Sequence, residues 1–385
     1  MTVSTVALGE AAVVLSGFAF KSELFSESDG VPLVRIRDVT RGHSKTFYTG
    51  PYSKDFLVED GDILIGMDGN FEAARWKGGP ALLNQRVCRI KGRPAILDHA
   101  YMFHFLAPAL KKIEDATPFV TVKHLSAGDV RGIEIPLPPL PEQRRIAAIL
   151  DQADALRAKR REALAQLDSL TQSIFIEMFG DPVENSKCWP TIKLGEHTAK
   201  MGSGATPTGG DAAYKTSGIS LIRSLNVRDG VFAYKDLAFI DDAQAAKLSN
   251  VVVCAGDVLL NITGASVARV CRAPINVLPA RVNQHVMIIR PKSTVDGVFL
   301  ERMLLSPNMK RHLLQIGGSG ATREAITKAQ AAELTVICPP LALQQTFATR
   351  IQAVESLKAN HRAALAELDA LFASLQHRAF AGQLS

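Results

Sequence analysis

The chain contains one pattern written twice. "PPLPEQRRIAAIL" begins at Pro138 and "PPLALQQTFATRI" at Pro339, and a constant shift of 201 residues carries Gln143 onto Gln344, Leu156 onto Leu357 and Phe179 onto Phe380 without a gap. Upstream, "LVRIRDV" (33–39) faces "LIRSLNV" (221–227), "VEDGDILI" (58–65) faces "VCAGDVLL" (253–260) and "LNQRV" (83–87) faces "VNQHV" (282–286). The order is kept while the offsets change, which is what insertions and deletions in surface loops leave behind. A duplication of this length requires two copies of one structural plan.

Each copy has two parts. Residues 1–137 and 186–336 are rich in short β-type runs such as "DILIG", "VVVCAGDVLLNI" and "HVMIIRP", punctuated by Gly, Asp-Gly and Pro. They read as mixed α/β globular domains dominated by antiparallel strands. Residues 142–180 and 343–381 are free of Pro, with Gly180 only at the close of the first, and each reads as a single long helix with Pro141 in a first-turn position. The expected architecture is α+β, with a globular domain at 1–137, a central helical spacer at 138–185, a second globular domain at 186–336 and a C-terminal spacer at 337–385.

Spacing along the helices predicts that they pair. Ile146, Ile149, Ala153, Leu156, Arg160, Ala163, Leu167, Leu170 and Ile174 follow one another at alternating steps of three and four, as do Phe347, Arg350, Val354, Leu357, His361, Ala364, Leu368, Leu371 and Leu375. A 3.5-residue repeat wants a partner helix, and the nearest is the other copy in the same chain. Arg160 and His361 interrupt both seams at the same place. Such a residue either snorkels out of the interface or acts as a register or docking device. At 1.5 Å per residue each rod spans on the order of 55 Å, so two packed rods hold two globular domains apart.

The layout of globular domain, "PPLPEQ", long helix, globular domain, "PPLALQQ", long helix, with "FGDP" (179–182) closing one helix and "RAFAGQL" (378–384) the other, resembles the specificity subunit of type I restriction–modification systems. The resemblance covers nearly the whole chain. It implies two target-recognition domains, each reading one half of an interrupted double-stranded DNA sequence. It also implies that the helices form an intramolecular antiparallel coiled coil, which sets the gap and docks two modification (methyltransferase) subunits. Restriction (translocase/nuclease) subunits would complete the complex in the prokaryotic cytoplasm, and S-adenosylmethionine would belong to the modification partner. "PPLALQQ" lacks the Pro and Glu of "PPLPEQR", which leaves open how symmetric the two partner contacts are. A methyltransferase-only system, or a coiled-coil scaffold without DNA affinity, are the alternatives.

Composition agrees with such a partner without demanding it: 44 Lys and Arg against 38 Asp and Glu give a net charge of +6. Five scattered cysteines without a C-x-x-C pair suggest neither a disulfide framework nor a zinc site, and imply a reducing compartment. The N-terminal stretch lacks a basic region and is interrupted by Glu10, so it makes a poor signal peptide, and no run reaches membrane-span length.

A duplicated reader of two different half-sites has an internal logic. Residues identical in both copies serve the common architecture, and residues that differ do the reading. Asn84-Gln85 and Asn283-Gln284 can bond an adenine edge, but their recurrence favours a structural or phosphate-positioning role. Gly61-Asp62 and Gly256-Asp257 read as turns opening a buried strand. Arg35 and Arg223 are shared, and either bind phosphate in both halves or form ion pairs. Among divergent segments, "MDGNFEAARW" (67–76) offers Asp68 and Asn70 where "ITGASVARVC" (262–271) offers Thr263 and Ser266. "TPFVTVKHLS" (117–126) offers Lys123 and His124 opposite a Gly-rich loop with Ser319, Thr322 and Arg323. Arg41, His43 and Lys45 form a basic turn matched only by "VRDG" with Arg228.

Catalytic and metal-binding signatures are missing. "PPL" follows neither Asp nor Asn, so the motif for adenine amino-methylation is absent, and "MGSGATPTGG" (201–210) lacks the preceding strand and following acid of a dinucleotide loop and reads as a turn. No His-Glu-x-x-His and no nucleophile–base arrangement stands out. The expectation is a reading module with no cofactor, no metal and no catalytic residue of its own.

Overall fold

A computed structural model describes residues 4–117, 123–209, 213–318 and 325–384. The chain divides into two compact units, Met1–Arg161 with Ala363–Ser385, and Glu162–Arg362. Each unit holds one globular segment, the first half of one long helix and the last half of the other.

The first unit is built on an antiparallel sheet ordered Ala12–Ser16, Val87–Gly92, Ile63–Gly66, Ala73–Arg75. The second unit repeats it as Thr198–Ser203, Val286–Pro291, Val258–Asn261, Val270–Arg272. A further sheet in each contains one parallel pair, Val31–Val34 with Ala81–Leu83 and Ile219–Ile222 with Ala280–Val282. Two-stranded ribbons, Thr5–Ala7 with Glu134–Pro136 and Thr191–Lys193 with Thr335–Ile337, complete the correspondence.

The shared Gly-Asp pairs make tight turns. Gly61 and Gly256 sit at φ +90° and +80°, where only glycine is at ease. The following carboxylates fold back: Asp62 accepts from the Glu59 N–H at 3.1 Å and Asp257 from the Cys254 N–H at 2.7 Å. Each also holds cations from the neighbouring strand, Lys91 at 2.8 Å and Arg290 at 2.7 Å. In "MGSGATPTGG" the first residues finish a strand, and Gly204 passes so close to the Val282 carbonyl that a Cβ would lie 1.9 Å from it. That glycine serves backbone packing against a sheet.

The long helices run Leu140–Phe179 and Leu341–Phe380. A buried glutamine roots each one in a globular segment. Gln143 is fully buried, accepts from the Asp98 N–H at 2.8 Å and donates to the Ile96 and Pro138 carbonyls at 2.9 and 2.8 Å. Gln344, equally buried, accepts from the Asp296 N–H at 2.9 Å and donates to the carbonyls of Thr294 and Pro339. Asp98 and Asp296 in turn cap the helices His99–Ala116 and Gly297–Leu305. Each long helix ends on a phenylalanine set among aromatics: Phe380 lies 5.3 Å from Tyr101 in the first unit, and Phe179 4.8 Å from Phe299 in the second.

The two helices pack antiparallel within each unit. In the first, Arg157 donates to Asp369 at 2.6 Å; in the second, Lys358 lies 2.6 Å from Asp168. Arg157 and Lys358 occupy the same place in the repeat, as do Asp168 and Asp369, so one ion pair occurs twice with the helices exchanged.

The seam matches the expected one in part. Ile146, Phe347 and Val354 are buried, and Ile149, Leu167, Ile174, Leu368 and Leu375 are half-buried. Leu156, Leu170, Leu357 and Leu371 are 46, 44, 50 and 50% exposed and face outward. Beside the buried seam residues, Ala153 among them, the neighbouring positions Ala147, Leu150 and Arg157 in one helix and Ile351 and Lys358 in the other are also turned inward. The neighbouring stripe is largely charged at midhelix, so apolar spacing points to the leucines. The aliphatic stems of Arg157 and Lys358 nevertheless pack inward there while their charged heads reach aspartates. Arg157 also lies over the Phe372 ring at 4.3 Å.

Side-chain clamps add to the rooting. In the first unit, buried His104 meets Asp151 at 2.8 Å and Arg75 reaches the same carboxylate at 3.1 Å. Burial holds the His104 imidazole below its ordinary range despite Asp151. In the second unit Arg302 bonds Glu355 at 3.1 Å.

Replacing Gln143 by Ala strands the Asp98 N–H and the Ile96 and Pro138 carbonyls, at about 1–3 kcal/mol per buried unsatisfied group. Gln143→Ala should raise hydrogen exchange around 96–98 and at the start of the first long helix, and Gln344→Ala should do so around 294–296, each leaving the other unit protected. Protection unchanged in both variants would remove the glutamines from this role.

Candidate nucleic-acid interface

The sheet positions a three-loop junction at the same place in both units. In the first, the strand Ile63–Gly66 leads into Met67, whose N–H donates to the Arg86 carbonyl at 2.9 Å and whose carbonyl accepts from the Leu125 N–H at 2.8 Å. In the second, Val258–Asn261 leads into Ile262, which bonds the His285 carbonyl at 3.0 Å and the Ile326 N–H at 2.8 Å. The loop after the Gly-Asp strand is thus tied on one side to the Asn-Gln turn and on the other to the segment ahead of the ribbon strand, Glu134–Pro136 or Thr335–Ile337, that leads into the long helix.

On this common frame the side chains differ. Asp68 and His124 face each other as an isolated bridge in the first unit, with Asp68 Oδ1 and His124 Nδ1 2.6 Å apart. Arg86 completes the cluster, its Nη1 3.2 Å from His124 Nδ1 and its Nε 3.6 Å from Asp68 Oδ2. In the second unit Thr263 bridges to Ala325, and Thr263 Oγ1 lies 2.6 Å from His285 Nδ1. Gln284 Nε2 is 3.1 Å from His285 Nε2, and the Thr206 hydroxyl reaches the Gln284 carbonyl oxygen. This cluster opens on a cleft of about 410 Å³ that also takes in Arg228, Ser266 and Arg269.

The structure therefore brings together Asp68 and His124 in one unit, and Thr263, Ser266 and Arg228 in the other. Lys123 stands beside the first cluster, its carbonyl accepting from Gly69 at 2.9 Å and its ammonium turned to the Glu114 carbonyl. Asn70 is exposed on the same loop. Arg41, His43 and Lys45 are exposed on a separate turn that leans on Gly78. The shared arginines part company: Arg35 is exposed, whereas Arg223 donates to the Asp236 carbonyl at 2.6 Å and lies over Tyr214 at 5.0 Å. Ser319, Thr322 and Arg323 lie outside the described residues.

Within each Asn-Gln pair the asparagine is buried and the glutamine exposed, and Asn283 Oδ1 accepts from the His285 N–H at 3.0 Å. Arg86, Arg269 and His285 escape the reading from sequence. The signal for two of them was present: "NQRV" and "NQHV" differ only at that one slot.

Among the described residues there is no group of His, Cys, Asp or Glu able to hold a metal ion. Burial pushes the Cys88 and Cys271 thiols up to about 12, so neither is a nucleophile at neutral pH. Among the described residues, no helix is long and apolar enough to cross a membrane.

Comparison with known proteins gives a consistent result. Residues 2–166 match the family model for the type I restriction modification DNA specificity domain. The chain is 30% identical over 417 residues to the EcoBI specificity subunit of Escherichia coli, covering 99% of this chain and 86% of that one. It is 22% identical to the MjaVIII specificity subunit of Methanocaldococcus jannaschii, over 79% of this chain and 75% of that one. In fold it is similar to the crystal structure of the type I S subunit from M. genitalium (TM-score 0.62, 14% identity, 98% and 96% coverage). It is also similar to a chain from a study of complex assembly and conformational transition in the type I R-M system (TM-score 0.55, 21% identity, 99% and 98% coverage).

Proposed function

The chain belongs to the type I restriction–modification specificity subunits, and from that premise we propose that each of its units reads one half of a bipartite double-stranded DNA target while the paired helices set the gap. The observation that carries this reading is one hydrogen-bonded frame presenting Asp68, Arg86 and His124 in one unit and Thr263, His285 and Ala325 in the other. Two copies of a catalytic site would keep the chemistry and vary its surroundings. Here the frame is kept and the polar side chains change, as two different half-sites require.

The same comparison argues against catalysis by this chain. Thr263 and His285 form a hydroxyl–imidazole contact of the kind used by nucleophiles, but the repeat-related positions are Asp68 and Arg86. Methyl transfer, with its S-adenosylmethionine, is assigned to two modification subunits, and cleavage to restriction subunits where the system has them, all in the prokaryotic cytoplasm. The outward leucines offer those modification subunits two related footholds. Leu156 and Leu371 stand within a turn of the Arg157–Asp369 pair, and Leu170 and Leu357 within a turn of the Lys358–Asp168 pair.

Gel shifts of the chain with its modification subunits at two salt concentrations separate DNA reading from a scaffold role. Reading predicts affinity that falls steeply with salt, in proportion to the phosphates neutralised; no binding at low salt would leave only the scaffold. Exchanging residues 186–336 for those of another specificity subunit should change one half of the methylated target and leave the other intact.

Seven residues inserted after Arg161 and after Arg362 lengthen both rods by about 10 Å, or about three base pairs. The gap in the target should widen accordingly with both half-sites unchanged. Leu156→Asp and Leu357→Asp alter exposed positions, so stability should move by under about 0.5 kcal/mol. Each should weaken capture of a modification subunit in sedimentation or pull-down. Full retention of both subunits in the double variant would place the docking surface elsewhere.

A further inference from the structure

We propose that Arg86 and His285 hold the same base-reading position in the two units, with Arg86 directed at a guanine edge. This rests on the DNA-reading role proposed above and adds residues to it.

Their backbone is part of the common frame. The carbonyl of each accepts from the residue that follows the Gly-Asp strand, Met67 or Ile262. Each follows an Asn-Gln pair whose asparagine is buried, so the side chain is delivered from a fixed point. Within an otherwise shared "NQ-x-V" this is the one slot that changes. Arg86 also adopts φ +68°, a left-handed conformation unusual for a side chain with a Cβ. Such local strain persists where the surroundings impose it.

The charge arrangement favours base reading over phosphate binding. The Arg86 side chain is 53% exposed, and its guanidinium is steadied by Asp68 at 3.6 Å. A carboxylate beside the cation offsets the attraction that a phosphate contact would exploit. It leaves a planar fork of donors in a set orientation, the geometry that matches O6 and N7 of guanine. His285 is held differently, by Thr263 Oγ1 at 2.6 Å on one ring nitrogen and Gln284 Nε2 at 3.1 Å on the other. With both ring nitrogens engaged, the imidazole acts in the second unit by setting the Thr263 hydroxyl and the Gln284 amide that face the half-site.

The test is methylation of a DNA library, randomised in both half-sites, by the full chain in complex with its modification subunits. Arg86→Gln should lower the preference for guanine about ten- to a hundred-fold at one position of one half-site. The gap and the other half-site should stay as they were. Arg86→Lys, which keeps the charge and loses the fork, should relax the same position; His285→Ala should relax one position in the other half-site. Thermal melting of each variant reports on folding. The proposal is overturned if a folded Arg86→Gln complex loses affinity equally for all sequences with a salt slope reduced by about one, the signature of a phosphate contact. An unchanged target in every variant overturns it as well. A wild-type complex without any bipartite preference would instead defeat the DNA-reading role itself.

Discussion

A fully buried primary amide at the start of each long helix is the constraint on which the rest depends. A helix entering a globular segment leaves N–H and carbonyl groups of the connecting turns away from water, and each must find a partner. Gln143 and Gln344 answer three such groups apiece with one side chain. Because the amide bonds the N–H of Asp98 or Asp296, which itself caps the next helix, the long helix, the cap and the turn are fixed as one body. An aliphatic residue of equal size would fill the space and satisfy none of them. This explains why "PPL-x-x-Q" is retained when the Pro and Glu between its ends are not.

A reader built by duplication must be rigid where its copies agree and free to differ where they do not. The Gly-Asp turns, the Asn283 side chain and the bonds made by Met67 and Ile262 are all backbone-satisfying features, indifferent to which polar group projects from the junction. Aspartate, arginine and histidine in one unit, and threonine, histidine and alanine in the other, are accommodated with the same bonds between loops, the backbone differing locally at Arg86, where φ is +68°. The exposed side chains at the junction can therefore change at little cost to the fold. It also explains a modest net charge: orientation at the junction comes from neutralised groups, while non-specific affinity needs only a small cationic excess.

Much of this was legible before any coordinates. The duplication, the strand-rich segments, the extents of the two helices and the tight turns at Gly61 and Gly256 follow from pattern and turn chemistry, which are local. The seam was legible in part: Ile146, Ala153, Phe347 and Val354 are buried as the spacing requires, whereas Leu156 and Leu357 face outward beside Arg157 and Lys358, whose aspartate partners lie on the other helix and leave no local signal. The junction cluster was half legible. Asp68, Thr263 and His124 stand out as divergent loop residues, and the pairing of Asp68 with His124 and of Thr263 with Ala325 confirms that the two loops meet. Arg86 and His285 were obscured by their setting in a shared motif, where the eye assigns the whole stretch to architecture. Arg223 shows the opposite limit, since identity with Arg35 in sequence gives no hint that one guanidinium is spent on the Asp236 carbonyl.

The polar choice within the helix pair has its own logic. Two leucine-lined helices can slide by a heptad or turn end for end at little cost, so an all-apolar seam specifies contact without specifying register. Arg157 with Asp369 and Lys358 with Asp168 break that degeneracy. A slip of one heptad, in either direction, parts both pairs at once, since the repeat relates them. Each exposed aspartate gains little from its ion pair, but Lys358 is only 5% exposed along its side chain and cannot lose its carboxylates without leaving a buried charge. The penalty for misalignment therefore exceeds the stabilisation gained from alignment, which is the arrangement that fixes a register. With Arg157 and Lys358 on long stems taking part of the seam, Leu156, Leu170, Leu357 and Leu371 are left on the outside, where the helix pair itself has no use for them.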